Sequence, residues 1–427
     1  MPGLEGIDVA TIAPPTVPGA APEESPPQKQ GPFASFANRD FRWLWIGTIT
    51  VGFGQWGQQI GLNILVYNLT GSAVQMGAVT FAGGIGSLFV TPYAGVLADR
   101  YSRRKVMLFS TVFGAAQAAV LAFLVLAGLA AVWQAYIFAI LTTFTQAINQ
   151  PARQAYVYDV STPETFTNAV ALNSIAQNLS RIVGPPIFGI IAVWNVGLCF
   201  LGVAIIRTIS SLATWIMREL PQEKAVSTSN PTKQVFAGFA YLFAEPRLRL
   251  LLAVNAIPAL LVYPYMNFMP IFADKVFHDD WAYGFLVAMI AVGSTIGLFA
   301  LAWFGEVRRK PQIMLGCFFV YLALLLLFSR QDVLIFGLLA LAVAGIFHGT
   351  ALALNNVVFQ SELRPDMRGR GMAAWQVGMA LMPLGGLPMG LLIAQFGIQD
   401  GVAISHAMCL GAFILIAIFG KPLTRSE

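Results

Sequence analysis

The stretch Gly95-Val96-Leu97-Ala98-Asp99-Arg100-Tyr101-Ser102-Arg103-Arg104-Lys105 sets five charges between two long apolar runs, residues 73–97 and 106–129. A helix that crosses a bilayer needs about 20 apolar residues, and both runs supply them. So short a connection folds them into a hairpin. Four of its five charges are Arg or Lys, which places the tip on the cytoplasmic side.

Working outward, the rest of the chain repeats this design. Hydrophobic residues make up 57% of the 427 and charged residues 11%, against about 25% charged in a soluble domain. Apolar runs fall at 41–68, 73–97, 106–129, 132–156, 166–193 and 197–217, then at 248–272, 282–303, 313–328, 333–359, 371–393 and 402–419. Backbone groups in lipid must be satisfied internally, and no segment alternates as a barrel strand does. The expected fold is an all-α membrane protein of twelve transmembrane helices in two six-helix bundles. The net charge of +5 is not gathered into a basic patch. It sits in the connections, which argues for a lipid bilayer and against nucleic acid as partner. Cys199, Cys317 and Cys409 all lie in apolar runs, so no disulfide framework is implied.

Charge placement orients the bundle. Of the 25 Lys and Arg residues, 21 fall on the side of the 95–105 loop, Arg153 counted among them. Lys275 and Arg330 fall on the other side, and Arg181 and Arg207 lie within spans. The positive-inside rule then makes both termini cytoplasmic. The expected divisions are a disordered cytoplasmic tail at 1–37, a first six-helix half at 38–218, a linker at 219–246, a second half at 247–420 and a short tail at 421–427. Within the linker, Val235, Phe236, Phe239, Leu242 and Phe243 share one face of an amphipathic helix. The halves echo one another: Arg308-Arg309-Lys310 stands where Arg103-Arg104-Lys105 does, and Gly386-Leu387-Pro388 repeats Gly184-Pro185-Pro186. Parallel six-helix repeats are a transporter architecture.

The opening stretch resembles the loop between helices two and three of major facilitator superfamily transporters, Gly-x-Leu-Ala-Asp-Arg-x-Gly-Arg-Arg. Gly95, Leu97, Asp99, Arg100, Arg103 and Arg104 match it, and Ser102 replaces a glycine. In that family the aspartate docks on the start of helix eleven and the arginines meet an acidic residue ending helix four. The resemblance therefore implies a conformational gate of Asp99 against the amides near Gly369 and Arg370, with Asp159 opposite Arg103 or Arg104. A helix N-terminus carries free amides and partial positive charge, which suits a carboxylate. The other reading is that these charges only set topology.

Polar residues inside the spans point to a solute path. Gln55, Gln59 and Asn63 recur at four-residue steps in span one, beside Trp56. Unsatisfied amides do not face lipid, so they line a watery cavity or bond between helices; the cavity is the expectation. Gln146 and Asn149 of span four, Gln177 and Arg181 of span five, Asn255 and Tyr263 of span seven, and His348 and Asn355 of span ten join them. In the family resembled, helices one, four, seven and ten line the central path. Amides and aromatics together suit a sizeable, partly apolar ligand. Arg181 is followed by Gly184, Pro185 and Gly189, which resemble part of the helix-five signature of facilitator antiporters; it either attracts an anionic group or bonds helix-end carbonyls.

No Asp or Glu lies near the middle of a span. Related exporters often carry one near Gln55, so a simple carboxylate proton relay is in doubt. His348 is taken as the one intramembrane group titrating near neutral pH. No nucleotide loop, metal spacing or catalytic triad is present, so no enzyme activity, metal or cofactor is expected beyond coupling to a proton or other ion. Phe36-Ala37-Asn38-Arg39-Asp40-Phe41-Arg42-Trp43 and Tyr67-Asn68-Leu69-Thr70-Gly71-Ser72 resemble the macrolide and siderophore exporter branch. That resemblance implies a monomeric secondary transporter exporting a small organic solute by alternating access. Uptake of a metabolite or lysolipid, and a transport-dead membrane sensor, are the competing readings.

Overall fold

The computed structural model describes residues 31–220, 231–305, 307–379 and 381–419, with side chains except at 91–100, 231–237, 366, 373, 377, 379 and 419. Residues 1–30 and 421–427 of the expected tails and 221–230 of the expected linker lie outside them; Ala34–Ala37, expected within the disordered tail, instead form a 3-10 helix in which Ser35 is buried and donates to Asn168 at 2.8 Å. Fifteen α-helices follow in order among the described residues. They are α1 (Arg39–Thr70), α2 (Ala73–Arg100), α3 (Arg103–Leu126), α4 (Val132–Asp159), α5 (Phe166–Trp194), α6 (Val196–Ile216), α7 (Pro231–Ala244) and α8 (Pro246–Leu261), then α9 (Met269–Lys275), α10 (Ala282–Phe304), α11 (Lys310–Phe328), α12 (Leu334–Glu362), α13 (Arg368–Met379), α14 (Gly386–Phe396) and α15 (Ile398–Phe419).

Local chemistry sets the boundaries. Asn38 caps α1, its Oδ1 accepting from the Asp40 amide at 2.8 Å, and Gly71 ends that helix at φ +60°, a conformation that carries little cost for glycine. Asn195 ends α5 and starts α6, its side chain accepting from the Leu198 amide at 3.1 Å.

Among the described residues, eight helical segments are both long and apolar enough to cross a membrane, including α3, α6, α10, α11 and α12. Helices α1, α4 and α5 run 32, 28 and 29 residues, but their amides and guanidiniums lower the mean hydropathy. Two spans expected as single helices are broken. The 248–272 run divides into α8 and α9 around a 3-10 segment, Tyr263–Phe268, that contains Pro264. The 371–393 run divides into α13 and α14 at Met382–Gly385, which contains Pro383. Proline lacks an N–H and its ring clashes with the preceding turn, so the ladder stops there.

Helices α1 to α6 pack as one bundle and α8 to α15 as another, with α7 against α8 and α13. The second bundle's core is aromatic: Phe272 and Phe328 rings lie 4.9 Å apart, and Phe318 and Phe413 5.0 Å. Phe123, Trp133, Trp215, Phe299 and Trp303 are exposed on the outside, where lipid replaces water. Glycines let helices close up: Gly293 of α10 faces the Ala342 carbonyl of α12, and Gly390 of α14 that of Ala73. The three cysteines are free.

Candidate functional site: the interface between the bundles

Two faces of the molecule are distinguished by their ends. One, here the basic face, holds the starts of α1, α3, α5, α11 and α13; the opposite face holds the ends of α1, α5 and α14. The bundles meet closely toward the opposite face. There Gly77 of α2 lies against the Gly386 carbonyl, Gly84 against Pro383, and Gly189 of α5 against Gly284 of α10.

Hydrogen bonds between described residues reinforce that contact, layer by layer. Tyr67 donates to Asp274 at the outermost level. Asn63 donates to Tyr283 at 3.1 Å and to Asn267 at 3.4 Å, and Gln59 donates to the same Asn267 carbonyl oxygen at 3.1 Å. One turn deeper, Gln55 donates to Gln146 at 3.1 Å, inside the first bundle. Each member of the span-one stripe thus bonds another helix in this conformation. Gln58 points the other way, donating to Thr142. Trp56 packs against the backbone at Gly184, and Pro185 abuts Gly284.

The second bundle contributes buried polar groups of a different kind. Asn255 and Asn355 are fully buried, and Tyr263 and His348 nearly so. The side-chain polar atoms of these four have no hydrogen-bond partner. His348 stacks on Tyr321, ring centroids 4.8 Å apart, and meets Tyr263 edge-on at 5.2 Å. Arg181, half-buried on α5, is within electrostatic reach of Tyr263, Tyr321 and His348. Gln177, one helical turn before it, is exposed. His348 is not the one intramembrane histidine: His406 of α15 is also fully buried, against Tyr265 at 5.4 Å. Its apolar surroundings in sequence, Ser405 to Leu410, carried the signal.

On the basic face Asp159 meets one of the two expected arginines, and the two arginines have different partners. Arg103 pairs with Asp159, a contact between α3 and α4 within one bundle, so by itself it does not join the halves. Arg104 instead donates to the Thr214 and Trp215 carbonyls that end α6, a favourable place for a cation. Lys105 pairs with Glu219 at 2.8 Å, and bonds from Lys105 and Ser102 hold that carboxyl below the usual range. Gly95, Asp99 and Arg100 lie on α2, but their side chains are outside the described residues. Gly369 and Arg370 are exposed on the first turn of α13, whose backbone at Arg370 abuts Gly238 of α7. Arg153, counted with the basic face in the sequence, is buried: it donates to Asn149 at 3.3 Å and to the Leu44 carbonyl and Thr48 at 3.4 Å. Asn149 in turn bonds Ser110.

Two helical bundles meeting across a polar seam, each with broken or proline-bearing helices at its contact, are the architecture of a membrane transporter with the major facilitator fold. The chain belongs to the transmembrane secretion effector family, whose description matches residues 30–426. Among curated relatives, the staphyloferrin A transporter of Staphylococcus aureus is 28% identical over 81% of this chain and 87% of its own. Macrolide efflux protein A of Streptococcus pyogenes is 22% identical over 84% and 89%, and the enterobactin exporter of Shigella flexneri 28% over 77% and 80%. Two solved structures share the fold. The nucleoside transporter NupG superposes with a TM-score of 0.71 at 16% identity, covering 91% of this chain and all of that one. A bacterial homolog of the human lysosomal transporter Spinster, inward-facing and unoccupied, gives 0.68 at 15%, covering 92% and 97%.

Proposed function

We propose that the chain exports a small, partly apolar organic solute from the cytoplasm by ion-coupled alternating access, with its basic face cytoplasmic. The observation that carries this reading is the asymmetry of the seam. Close backbone contacts and hydrogen bonds hold the bundles together toward the opposite face. Toward the basic face, Gln150, Gln177 and Gln376 are exposed. They lie nine, eleven and eight residues inside the ends of α4, α5 and α13, roughly 14, 16 and 12 Å deep at about 1.5 Å per residue. Amides at that depth do not face lipid; a water-filled cleft accommodates them. The conformation is then closed outside and open to the cytoplasm.

The cleft's floor supplies the ligand chemistry. Gln55, Gln59, Asn63, Gln146 and Asn149 offer exchangeable amide hydrogen bonds, and Trp56, Tyr263 and Tyr321 offer ring surface. Arg181 beside His348 and Tyr263 receives a polar or anionic end of the solute. Asn255 and Asn355 are held in reserve in the second bundle, available when the halves rock. Asp99 docks on the start of α13 at Gly369 and Arg370 when the cytoplasmic side closes. The names of the macrolide and siderophore relatives support efflux of solutes of this size and character. The test is accumulation of labelled macrolides and siderophores in cells with and without the gene. Lower accumulation supports export, higher accumulation supports uptake, and no difference across the panel supports the sensor reading.

A further inference from the structure

We propose that the first bundle holds a small inorganic anion, chloride in the cell, against Arg207 in the pocket between α1, α3, α4 and α6. Arg207 stands eleven residues from one end of α6 and nine from the other, so it is near the middle of the membrane at about 1.5 Å per residue. It is 4% exposed. Its Nε and Nη2 are buried without a hydrogen-bond partner. A guanidinium stays protonated in proteins, and an uncompensated buried charge is costly.

None of the described side chains in the bundle neutralises it. Helices α3, α5 and α6 contain no Asp or Glu, α1 has only Asp40 in its first turn, α2 only Asp99 in its last turn, and α4 only Asp159 in its last, already paired with Arg103. A second guanidinium makes the deficit larger. Arg153 is 2% exposed, its Nη2 also has no partner, and it packs at Gly47, two turns along α1 from the Gly54 that abuts Arg207. Two buried cations therefore share one bundle with no described carboxylate paired to either.

The space beside Arg207 is shaped for an occupant. Gly54 of α1 and Gly114 of α3 give its side chain room, and any residue larger than glycine at 114 would strike the guanidinium. The remaining cavity is about 20 Å³ and is lined by Arg207, Gln55, Ser110, Thr111, Gln146 and Asn149, among others. That volume suffices for one water or one monatomic ion. A water meets an N–H but leaves the charge; a halide meets both. The cavity also borders Gln150, which is exposed, so an ion in the cleft can reach it.

The experiment uses the purified full chain in detergent with gluconate as the only anion, followed by chloride or bromide at constant ionic strength. The expected result is a saturable rise in the unfolding midpoint with halide. Arg207→Gln should weaken the apparent halide affinity by more than about 100-fold, since breaking a buried ion pair costs several kcal/mol. Should that variant not fold, diffraction from the wild-type chain in bromide decides: an anomalous peak in contact with the Arg207 guanidinium is expected. A wild-type midpoint indifferent to halide, an unchanged response in Arg207→Gln, or bromide absent from the pocket overturns the proposal. None of these readouts depends on transport.

Discussion

Tyr67, near the end of α1, donates its phenolic hydrogen to the carboxylate of Asp274, near the end of α9, and so joins the two bundles at the rim of their seam. Hydrogen bonds to a charged group contribute roughly 1.5–3 kcal/mol. The bond exists only while that rim is closed. Tyr67→Phe should therefore shift the population toward the form open on the opposite face by about tenfold, since 1.4 kcal/mol is a factor of ten. Spin labels at the exposed Asn68 and His278 report the separation. An unchanged distance distribution counts against a latch.

The amide ladder behind that latch makes a second expectation. Gln59 and Asn63 share one acceptor, Asn267. Gln55→Leu with Gln59→Leu should abolish transport while leaving membrane abundance nearly unchanged, the outcome that the proposed solute path along these amides requires. Loss of folded protein instead would mean the amides serve to hold helices together.

The gate is tested at Asp99. A carboxylate on a helix N-terminus contributes about 0.3–1 kcal/mol when exposed and up to ~2 when partly buried. Asp99→Asn should enrich the cytoplasm-open form, and a cysteine at Gly369 should then react faster with a membrane-impermeant thiol reagent added from the cytoplasmic side. Equal reactivity would reduce the 95–105 stretch to a topology signal.

Arg103 and Arg104 are adjacent yet do different things. Arg103→Gln leaves Asp159 without its cation, whereas Arg104→Gln uncaps α6 at Thr214 and Trp215. Each should lower stability by about 1 kcal/mol. Only the first should be restored by Asp159→Asn, read as the unfolding midpoint of the double variant.

Gly293→Ala places a methyl group against the Ala342 carbonyl across α10 and α12. Both partners are backbone, so neither can yield without moving a helix, and overpacking of this kind costs about 1–3 kcal/mol. Fluorescence-detected size exclusion should show less monodisperse protein. A profile equal to wild type would mean that the two helices part easily.

The spans were legible because lipid tolerates so few sequences. Runs such as 282–303 have little alternative, and α10 follows them closely. The amide stripe of α1 was legible for the same reason. Its partners were not: Gln146, Asn267 and Tyr283 sit 91 to 220 residues from the residues they bond, and no local pattern encodes such pairings. Arg153 misled because six residues separate it from Asp159, which reads as a helix end; only Gly47 on a neighbouring helix makes room to bury it. The division of labour between Arg103 and Arg104 likewise depends on where α6 happens to stop. The breaks in the seventh and eleventh spans had a signal in Pro264 and Pro383, but proline inside a membrane helix often only kinks it, as Pro185 and Pro186 leave α5 continuous.

Those two breaks lie side by side. Gly385 abuts the Leu260 carbonyl and Pro264, so the joint between α8 and α9 rests on the joint between α13 and α14. A helix bends most cheaply where its ladder is already interrupted. The second bundle is thus jointed like a pair of elbows set against each other, with α9 and α14 as forearms. Its outer rim can swing while α8 and α13 keep their place, so opening that rim need not wait for the whole bundle to turn.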